Sequence, residues 1–511
     1  MYLTQFLHRA VQHDPRRALT VFGERTRTVA ESADRVARFA AALRSLGVRP
    51  GDRVGILALN SDRYHEFLLA VPWAGGVVNP VNVRWSVPEV AYSLVDCRTD
   101  ILLVDDTFAG AAAELRRHVP NLATVIFCGD GPTPEGALSF EDLVAAHEPV
   151  EDAHRADDEL YGIFYTGGTT GRPKGVMLTH RNIVTSAMGG LATLPVVSRG
   201  GRLLHAAPMF HLADIAAWSM GLLAGSTHVI VPAFSPALVV EAIVKHDATD
   251  ALLVPTMIQL LVDSPQAADA DLGALRGVLY GASPISEALL RRARERLPSA
   301  AFTQSYGMTE LSPIATLLSP ADHDDPVLAR SAGRAVAHAE IRIVDPAGVE
   351  VPRGVVGEIA VRGDHVMRGY WNKPEETAAA LRDGWMHTGD GGYMDERGYV
   401  YIADRIKDMI ITGGENVYSI EVENALAKHP AVAQCAVIGL PDPDWGERVH
   451  AVVVLAQGAS ATPDELRDFC RADIAGYKIP RSITFAGALP ISAAGKVLKR
   501  ELRQQYRQEG N

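Results

Sequence analysis

Cysteine is scarce: there are four in 511 residues, Cys97, Cys128, Cys435 and Cys470, far apart and without C-x-x-C spacing. That excludes a disulfide framework and gives no sign of a cysteine zinc site, and reduced thiols fit a cytoplasmic protein best. Positive charge is short as well. A formal net charge of −12 argues against broad nucleic-acid binding, which needs a basic surface. The deficit is uneven, because residues 471–511 hold eight Lys/Arg against three Asp/Glu, a net of +5 that leaves −17 on the remainder. A cationic end on an acidic chain suits either a polyanion or plain solvent. The opening MYLTQFLHRAVQHDPRR is charged within ten residues and has no apolar secretory segment. One uncharged run, between Asp214 and Glu241, is long enough to raise the question of a membrane span. Gly221, Gly225, Pro232 and Pro236 break it and Ser226-Thr227-His228 sit inside it, so a buried helix followed by a strand at Val229–Val231 is expected instead.

With 47% hydrophobic and 22% charged residues the composition is globular, and the length calls for a large domain plus a smaller one. The two commonest phosphate loops are missing. Gly171 is followed by Arg172-Pro173-Lys174-Gly175, not by the Gly-Lys-Ser/Thr of a Walker A loop, and the G-x-G-x-x-G fingerprint is absent too. What stands there is Tyr165–Val176, YTGGTTGRPKGV, with four glycines, three threonines, Arg172 and Lys174, directly after the apolar run Leu160–Phe164. A strand entering such a loop makes an anion cradle: glycine lets backbone N–H groups converge, and hydroxyls and a lysine add donors. A phosphorylated substrate is the first expectation.

The flanking chain alternates. Thr28 with Glu31 forms a capping-box pattern ahead of Val36, Ala40 and Leu43, with Gly47 as a stop; Ser61 begins another helix, and Ser86 with Glu89 repeats the box. Strands are expected at Val54–Leu59, Val77–Val78, Ile101–Val104 and Thr124–Cys128, then at Leu203–Ala207, Val229–Val231, Ala251–Val254, Gly277–Tyr280 and Ala301–Ser305. This rhythm predicts parallel sheets with ligands beyond the carboxyl ends of their strands. From about residue 341 the turn-separated strands Ile341–Val344, Gly357–Arg362 and Gly369–Trp371 predict a small β-rich subdomain. The last hundred or so residues read as helical Ser419–Glu423, strands Ala433–Ile438 and His450–Leu455, a helix after Pro463 and a strand at Ile483–Phe485. The fold class is therefore α/β: a large N-terminal domain of stacked α/β sheets with a β-rich subdomain, then a small α+β domain, divided into 1–406 and 407–511 where the segment around Lys407 resembles a known family's domain junction.

The phosphate-loop stretch resembles that of the adenylate-forming superfamily, which includes acyl-CoA synthetases, aryl-CoA ligases, luciferases and peptide-synthetase adenylation domains. Its second position, usually serine there, is Gly167. Four turns, Pro208–His211, Pro255–Met257, Gly281–Pro284 and Gln304–Glu310, resemble the family's motifs in the expected order. The resemblance implies that Thr166, Gly167, Gly168, Thr169, Thr170, Gly171 and Lys174 hold the phosphates, with Thr170 also toward a metal. It places His211 beside the acyl carboxylate, Gly281, Ala282 and Ser283 along the adenine and acyl pocket, and Tyr306 on the adenine, with Gly307 and Met308 also at the nucleotide. Thr309 would bond the α-phosphate and Glu310 would hold Mg²⁺. Asp390, in Trp385–Asp390, would accept from the ribose hydroxyls, and Arg405 would reach the nucleotide. Lys407 would be the hinge of a mobile C-terminal domain, Gly413 and Gly414 would present the CoA pantetheine, and Lys496 would be the catalytic lysine. Lys499 and Arg500 read as ordinary helix-surface cations. The acid itself would meet Ala213, Asp214, Trp218, Thr256 and Leu311. Asp214 is the odd member of a mainly apolar set, and it either recognises a polar substituent, turns outward or caps a helix.

These residue types are what the chemistry needs in any case, since a triphosphate requires a divalent ion held by carboxylate and phosphate oxygens, with a directed donor at the reacting phosphorus. The expected activity is ATP-dependent adenylation of an apolar carboxylic acid, a medium- or long-chain fatty acid first, followed by transfer to coenzyme A. An aryl-CoA ligase, or an adenylating enzyme that loads a carrier protein or an amine, is the alternative. ATP, Mg²⁺ and CoA are implied, nucleic acid and a transmembrane segment are not, and a homodimer is left open. An ATP-hydrolysing switch would need neither an acid pocket nor Lys496.

Overall fold

The computed structural model describes residues 1–166, 172–283, 285–405, 408–412, 415–471, 473–491 and 497–508, with the backbone alone at 404, 405, 416 and 508. Thr28 and Glu31 close a capping box, the Thr28 N–H donating to Glu31 Oε2 at 2.7 Å and the Glu31 N–H to Thr28 Oγ1 at 3.2 Å, and start the helix Val29–Ser45. Its face of Val36, Phe39, Ala40 and Leu43 packs on the helix Asp62–Ala74, which Ser61 caps and Gly75 stops with φ +100.

Helix Asp62–Ala74 is buried along its whole length although it carries Asp62, Arg63, His65 and Glu66. Buried charges need partners, and these come from four separate elements. Arg25 meets Asp62 at 3.0 Å and Arg35 meets Glu66 at 2.6 Å; Arg63 reaches Asp130 and Glu141 at 2.7 Å each, and Arg35 also reaches Glu141 at 2.9 Å. Burial by itself would push the Glu141 carboxyl up, but Arg35 and Arg63 outweigh it and hold it at about 2. Glu66 runs the other way, its burial outweighing Arg35 and Arg27. A carboxylate depressed in the folded state adds stability above its unfolded value of 4.5 and loses it as pH falls toward 2. Because Glu141 is more than a third exposed, screening holds the gain to about 1 kcal/mol. Urea midpoints of wild type and Glu141→Gln should therefore differ at pH 7 and converge on acidification; a gap independent of pH would contradict this assignment.

Among the described residues the strands form four sheets. One runs Gly369–Tyr370, Lys174–Thr179, Leu160–Thr166, Val77–Pro80, Arg53–Leu57, Thr99–Val104, Thr124–Phe127 and Leu138–Ser139, parallel from Leu160–Thr166 onward. A second runs Arg334–Ala335, Thr316–Leu318, Ala301–Tyr306, Gly277–Gly281, Asp250–Leu252, Arg202–His205, Thr227–Ile230, Ala18–Phe22 and Arg25–Thr28, parallel from Ala301–Tyr306 through Ala18–Phe22. The β-rich subdomain is antiparallel, with Gly357–Arg362 between Glu340–Val344 and Trp385–Met394, and Val400–Arg405 also on Trp385–Met394. The run Asp214–Glu241 becomes the helices Leu212–Ala224 and Pro236–His246 around the strand Thr227–Ile230, and no described helix is long and apolar enough to cross a membrane.

One strand sits elsewhere than its sequence neighbours suggest. Gly369–Tyr370 leaves the β-rich subdomain and pairs antiparallel with Lys174–Thr179, Tyr370 opposite Val176. A two-residue strand has no periodicity to assign it, and only the neighbouring edge decides where it pairs.

The smaller C-terminal domain has its own sheet, in which Gly446–Leu455 lies between Ile410–Thr412 and Val432–Asp442 and also pairs parallel with Ser482–Phe485. Val422, Leu426, Val437, Ala451 and Leu466 form a core separate from that of the large domain.

Candidate active site

Strands Leu160–Thr166 and Lys174–Thr179 are antiparallel with Thr166 opposite Lys174, so these two residues flank the glycine-rich stretch of the sequence. Gly167, Gly168, Thr169, Thr170 and Gly171 lie outside the described residues. From its place in the strand Lys174 puts Nζ 4.9 Å from the centre of the Tyr370 ring, and the Tyr370 hydroxyl donates to Glu310 Oε1 at 2.8 Å. Burial and then the Glu310 charge push the Tyr370 phenol up, so it stays a donor. The Met367 N–H donates to the Glu310 carbonyl at 2.8 Å, which ties the segment before Tyr370 to the same turn. Lys174 and the Thr309–Glu310 corner are therefore joined through Tyr370. Tyr370, the residue that joins them, was legible in the sequence only as part of a strand.

The second sheet supplies the neighbouring wall. Gly281 stands opposite Ser305 at the ends of two parallel strands, and a Cβ on Gly281 would collide with the Ser305 carbonyl oxygen. Ala282 follows with φ +66, a left-handed conformation that costs a residue with a Cβ and turns the chain sharply off the strand. Ser283 is the last described residue before Pro284. At the end of the adjacent strand, a Cβ on Gly307 would collide with the Pro313 carbonyl oxygen, so the segment Gly307–Pro313 folds tightly back on itself. Met308 caps the short helix Thr309–Leu311, in which Glu310 and Leu311 are buried.

Tyr306 donates from its hydroxyl to Asp390 Oδ2 at 2.8 Å, which brings the β-rich subdomain onto the end of the second sheet. Asp390 is buried, its N–H donates to Thr388 Oγ1 at 3.1 Å, and its backbone lies opposite that of Arg405. The side chain of Arg405, together with Lys407, Gly413, Gly414 and Lys496, lies outside the described residues. Lys499 corrects the reading of it as an ordinary surface cation: it is mostly buried and pairs with Glu423 at 2.7 Å, which fastens the helix Lys499–Gln508 to Ser419–Ala427.

His211 occupies the N-cap of helix Leu212–Ala224, its ring 4.2 Å from that of Phe210. Asn60, which no motif singled out, holds this turn: its Oδ1 accepts from the Met209 N–H at 2.7 Å and its Nδ2 donates to the Ala207 carbonyl at 2.9 Å. Ala213 and Thr256 are half-buried. Asp214 neither turns outward nor caps the helix. It is buried with Oδ2 2.9 Å from His205 Nδ1, while His205 Nε2 stands 2.9 Å from His228 Nδ1. Trp218 is fully buried and donates Nε1–H to His65 Nδ1 at 2.8 Å. Burial, assisted by His205, holds the His65 imidazole at about 3, and burial also drives His228 well below its ordinary value, so both rings are neutral. Asp214 and Trp218 are thus committed to interior polar contacts. Their one-turn spacing is visible in the sequence, but His65, His205 and His228 come from three other elements.

The corner at Glu310 fits a hard cation, since it presents a buried carboxylate, and oxygen ligands are what Mg²⁺ takes. With this geometry in view, a family profile described as AMP-binding enzyme matches residues 7–371, and its C-terminal domain profile matches residues 421–496. The chain is 42% identical over 480 residues to a feruloyl-CoA synthase of Amycolatopsis sp, covering 94% of each chain. It is 37% identical over 499 residues to the fatty acid–[acyl-carrier-protein] ligase ScoC of Streptomyces coeruleorubidus, covering 97% of this chain and 94% of that one. The solved structure of ATP-bound MatB from Rhodopseudomonas palustris superposes with a TM-score of 0.90 at 32% identity over 100% of both chains. Fold, motif order and relatives agree, and the chain belongs to the AMP-binding, adenylate-forming enzymes as an acyl-CoA synthetase, an AMP-forming acid–thiol ligase that uses ATP, Mg²⁺ and coenzyme A.

Proposed function

We propose that the acid is a compact apolar one, an aryl or arylalkenoic carboxylate, with long-chain fatty acids the poorest substrates. The observation that carries this is the close packing around Gly190, on helix His180–Thr193. A Cβ on Gly190 would stand 3.0 Å from Met220 Sδ and 3.6 Å from Ile314 Cδ1, so helices His180–Thr193 and Leu212–Ala224 and the segment after Glu310 already fill that level. The 42% identity to a feruloyl-CoA synthase, against 37% to a fatty acid ligase, supports the same choice. With Asp214 and Trp218 engaged elsewhere and Leu311 fully buried, the half-buried Ala213 and Thr256 remain as the lining.

In this reading the carboxylate, beside His211, attacks the α-phosphorus of ATP and pyrophosphate leaves. Two anions about 4 Å apart repel by roughly 4 kcal/mol at an effective dielectric of about 20, so a cation brought between them lowers the barrier directly. Lys496 has that role, while Thr166, Thr169, Thr170 and Lys174 hold the phosphates and Thr309 bonds the α-phosphate. Glu310 would hold Mg²⁺, which would supply charge neutralisation of the triphosphate. Tyr306 stacks on the adenine, next to Gly281, Ala282 and Ser283, and releases Asp390 to accept from the ribose. The thiol of CoA then attacks the acyl-adenylate and AMP leaves. The domain over 407–511 turns about Lys407 between the steps, exchanging the Lys496 face for the Gly413–Gly414 face.

A panel of acids under CoA-dependent AMP release tests the substrate class. Ferulate, cinnamate or benzoate should exceed palmitate in kcat/KM by at least about tenfold, the discrimination a filled apolar pocket gives. Palmitate preferred over every aryl acid would overturn the choice and leave the adenylating reaction intact.

A further inference from the structure

Away from the active site, the segment that leads into strand Leu160–Thr166 lies against the first helix, Gln5–His13, and His8, Asp152 and His154 meet there with one ligand atom from each within 4.8 Å of the others. We propose that these three side chains bind a single divalent transition-metal ion of the zinc type.

Each ligand is already oriented. The Asp152 side chain is 1% exposed, with Oδ2 accepting from Thr4 Oγ1 at 2.6 Å and lying 2.8 Å from His8 Nε2, and with Oδ1 accepting from the His154 N–H at 2.9 Å. His154 Nδ1 stands 2.8 Å from the Asp152 carbonyl oxygen, which can only accept. Nδ1 therefore carries the proton and Nε2 presents its lone pair, the arrangement in which a metal-bound histidine donates its other N–H to a backbone carbonyl. His154 holds φ +51, a left-handed conformation that a residue with a Cβ adopts only when its surroundings enforce it. The His8 ring stacks on Trp73 at 4.7 Å, and Trp73, on helix Asp62–Ala74, donates Nε1–H to the Val150 carbonyl at 2.8 Å, so the platform under His8 is tied to the segment that carries the other two ligands.

The distances suit a shared ion. Two ligands on one zinc ion, each about 2.0–2.1 Å from it, stand about 2.9–3.4 Å apart at octahedral to tetrahedral angles. The His8–Asp152 separation of 2.8 Å is nearly that already. His154 is exposed, its ring stacked on that of His8 at 5.6 Å and edge-on to that of Tyr2 at 5.3 Å, and a shift of this ring closes the remainder. Two imidazoles and one carboxylate favour zinc-type ions over Mg²⁺ or Ca²⁺, which take oxygen ligands, and leave one position for water. Binding moves the His8 proton from Nε2 to Nδ1. The ion would clamp the first helix to the segment 150–156 and touch none of the active-site residues.

The test uses the full chain, stripped of metal and titrated with ZnCl₂ by calorimetry and with CoCl₂ by visible absorption. Wild type should take up one zinc ion with a Kd of about 10 μM or tighter, show a visible cobalt band, and melt about 2–3 °C higher at a hundredfold excess over Kd. His154→Ala changes an exposed side chain, so it should fold normally, lose the cobalt band, bind zinc at least about tenfold more weakly, and keep CoA-dependent AMP release in Mg²⁺ unchanged. Equal zinc binding by wild type and His154→Ala, or no binding below about 1 mM, would overturn the site and leave the His8–Asp152 contact as a plain hydrogen bond.

Discussion

Lys496→Ala should lower acyl-adenylate formation by at least about 10³-fold while changing the transfer of a supplied acyl-adenylate to CoA by no more than about threefold. The asymmetry follows from charge. In the first half-reaction a carboxylate approaches a triphosphate, and an amine between them stabilises the transition state more than the separated ground state. In the second, a thiol meets a mixed anhydride whose leaving group is AMP, and the amine would occupy the approach the thiol needs. Lys499, only three residues on, is held by Glu423 and is not placed to substitute. Single-turnover measurements of the two half-reactions separate the outcomes: equal loss in both would mean that one fixed surface serves both steps.

Glu310→Gln should cost about 10²–10³ in kcat and raise the Mg²⁺ concentration needed for half-maximal rate, because a neutral amide of the same shape keeps the packing and loses the charge that holds the ion. The chain from Lys174 through Tyr370 to Glu310 adds a graded control. Tyr370→Phe keeps the ring under Lys174 and removes only the hydroxyl that orients the carboxylate, so a smaller loss, about tenfold, with the same shift in Mg²⁺ dependence is expected. A rate loss in Glu310→Gln with unchanged Mg²⁺ dependence would assign Glu310 to structure.

The sequence carried the elements whose signals are local. The capping boxes at Thr28 and Ser86, the Ser61 cap and the strands that end at Gly281 and Tyr306 stand where their residue types place them. Strand ends are legible because a glycine- or proline-bearing turn must follow an apolar run, and the motif residues gather at those ends. Partnership was not legible. Tyr370 belongs to the site because Gly369–Tyr370 pairs with Lys174–Thr179, and nothing within two residues encodes which edge they join. Helix Asp62–Ala74 carries four polar or charged residues in its first turn and a half and would pass for half-exposed, yet Arg25, Arg35, Glu141 and Asp130 converge on it from distant positions. Asp214 drew notice as a polar residue among apolar ones, but its partner His205 lies on a different element, the strand Arg202–His205.

In the proposed reaction a free acyl-adenylate forms before any thiol arrives. Exchange of labelled pyrophosphate into ATP, measured with the acid and Mg²⁺ present and CoA left out, tests that step directly. Acid-dependent exchange without CoA is the predicted result; no exchange until CoA is added, or release of ADP and phosphate in its place, would contradict it.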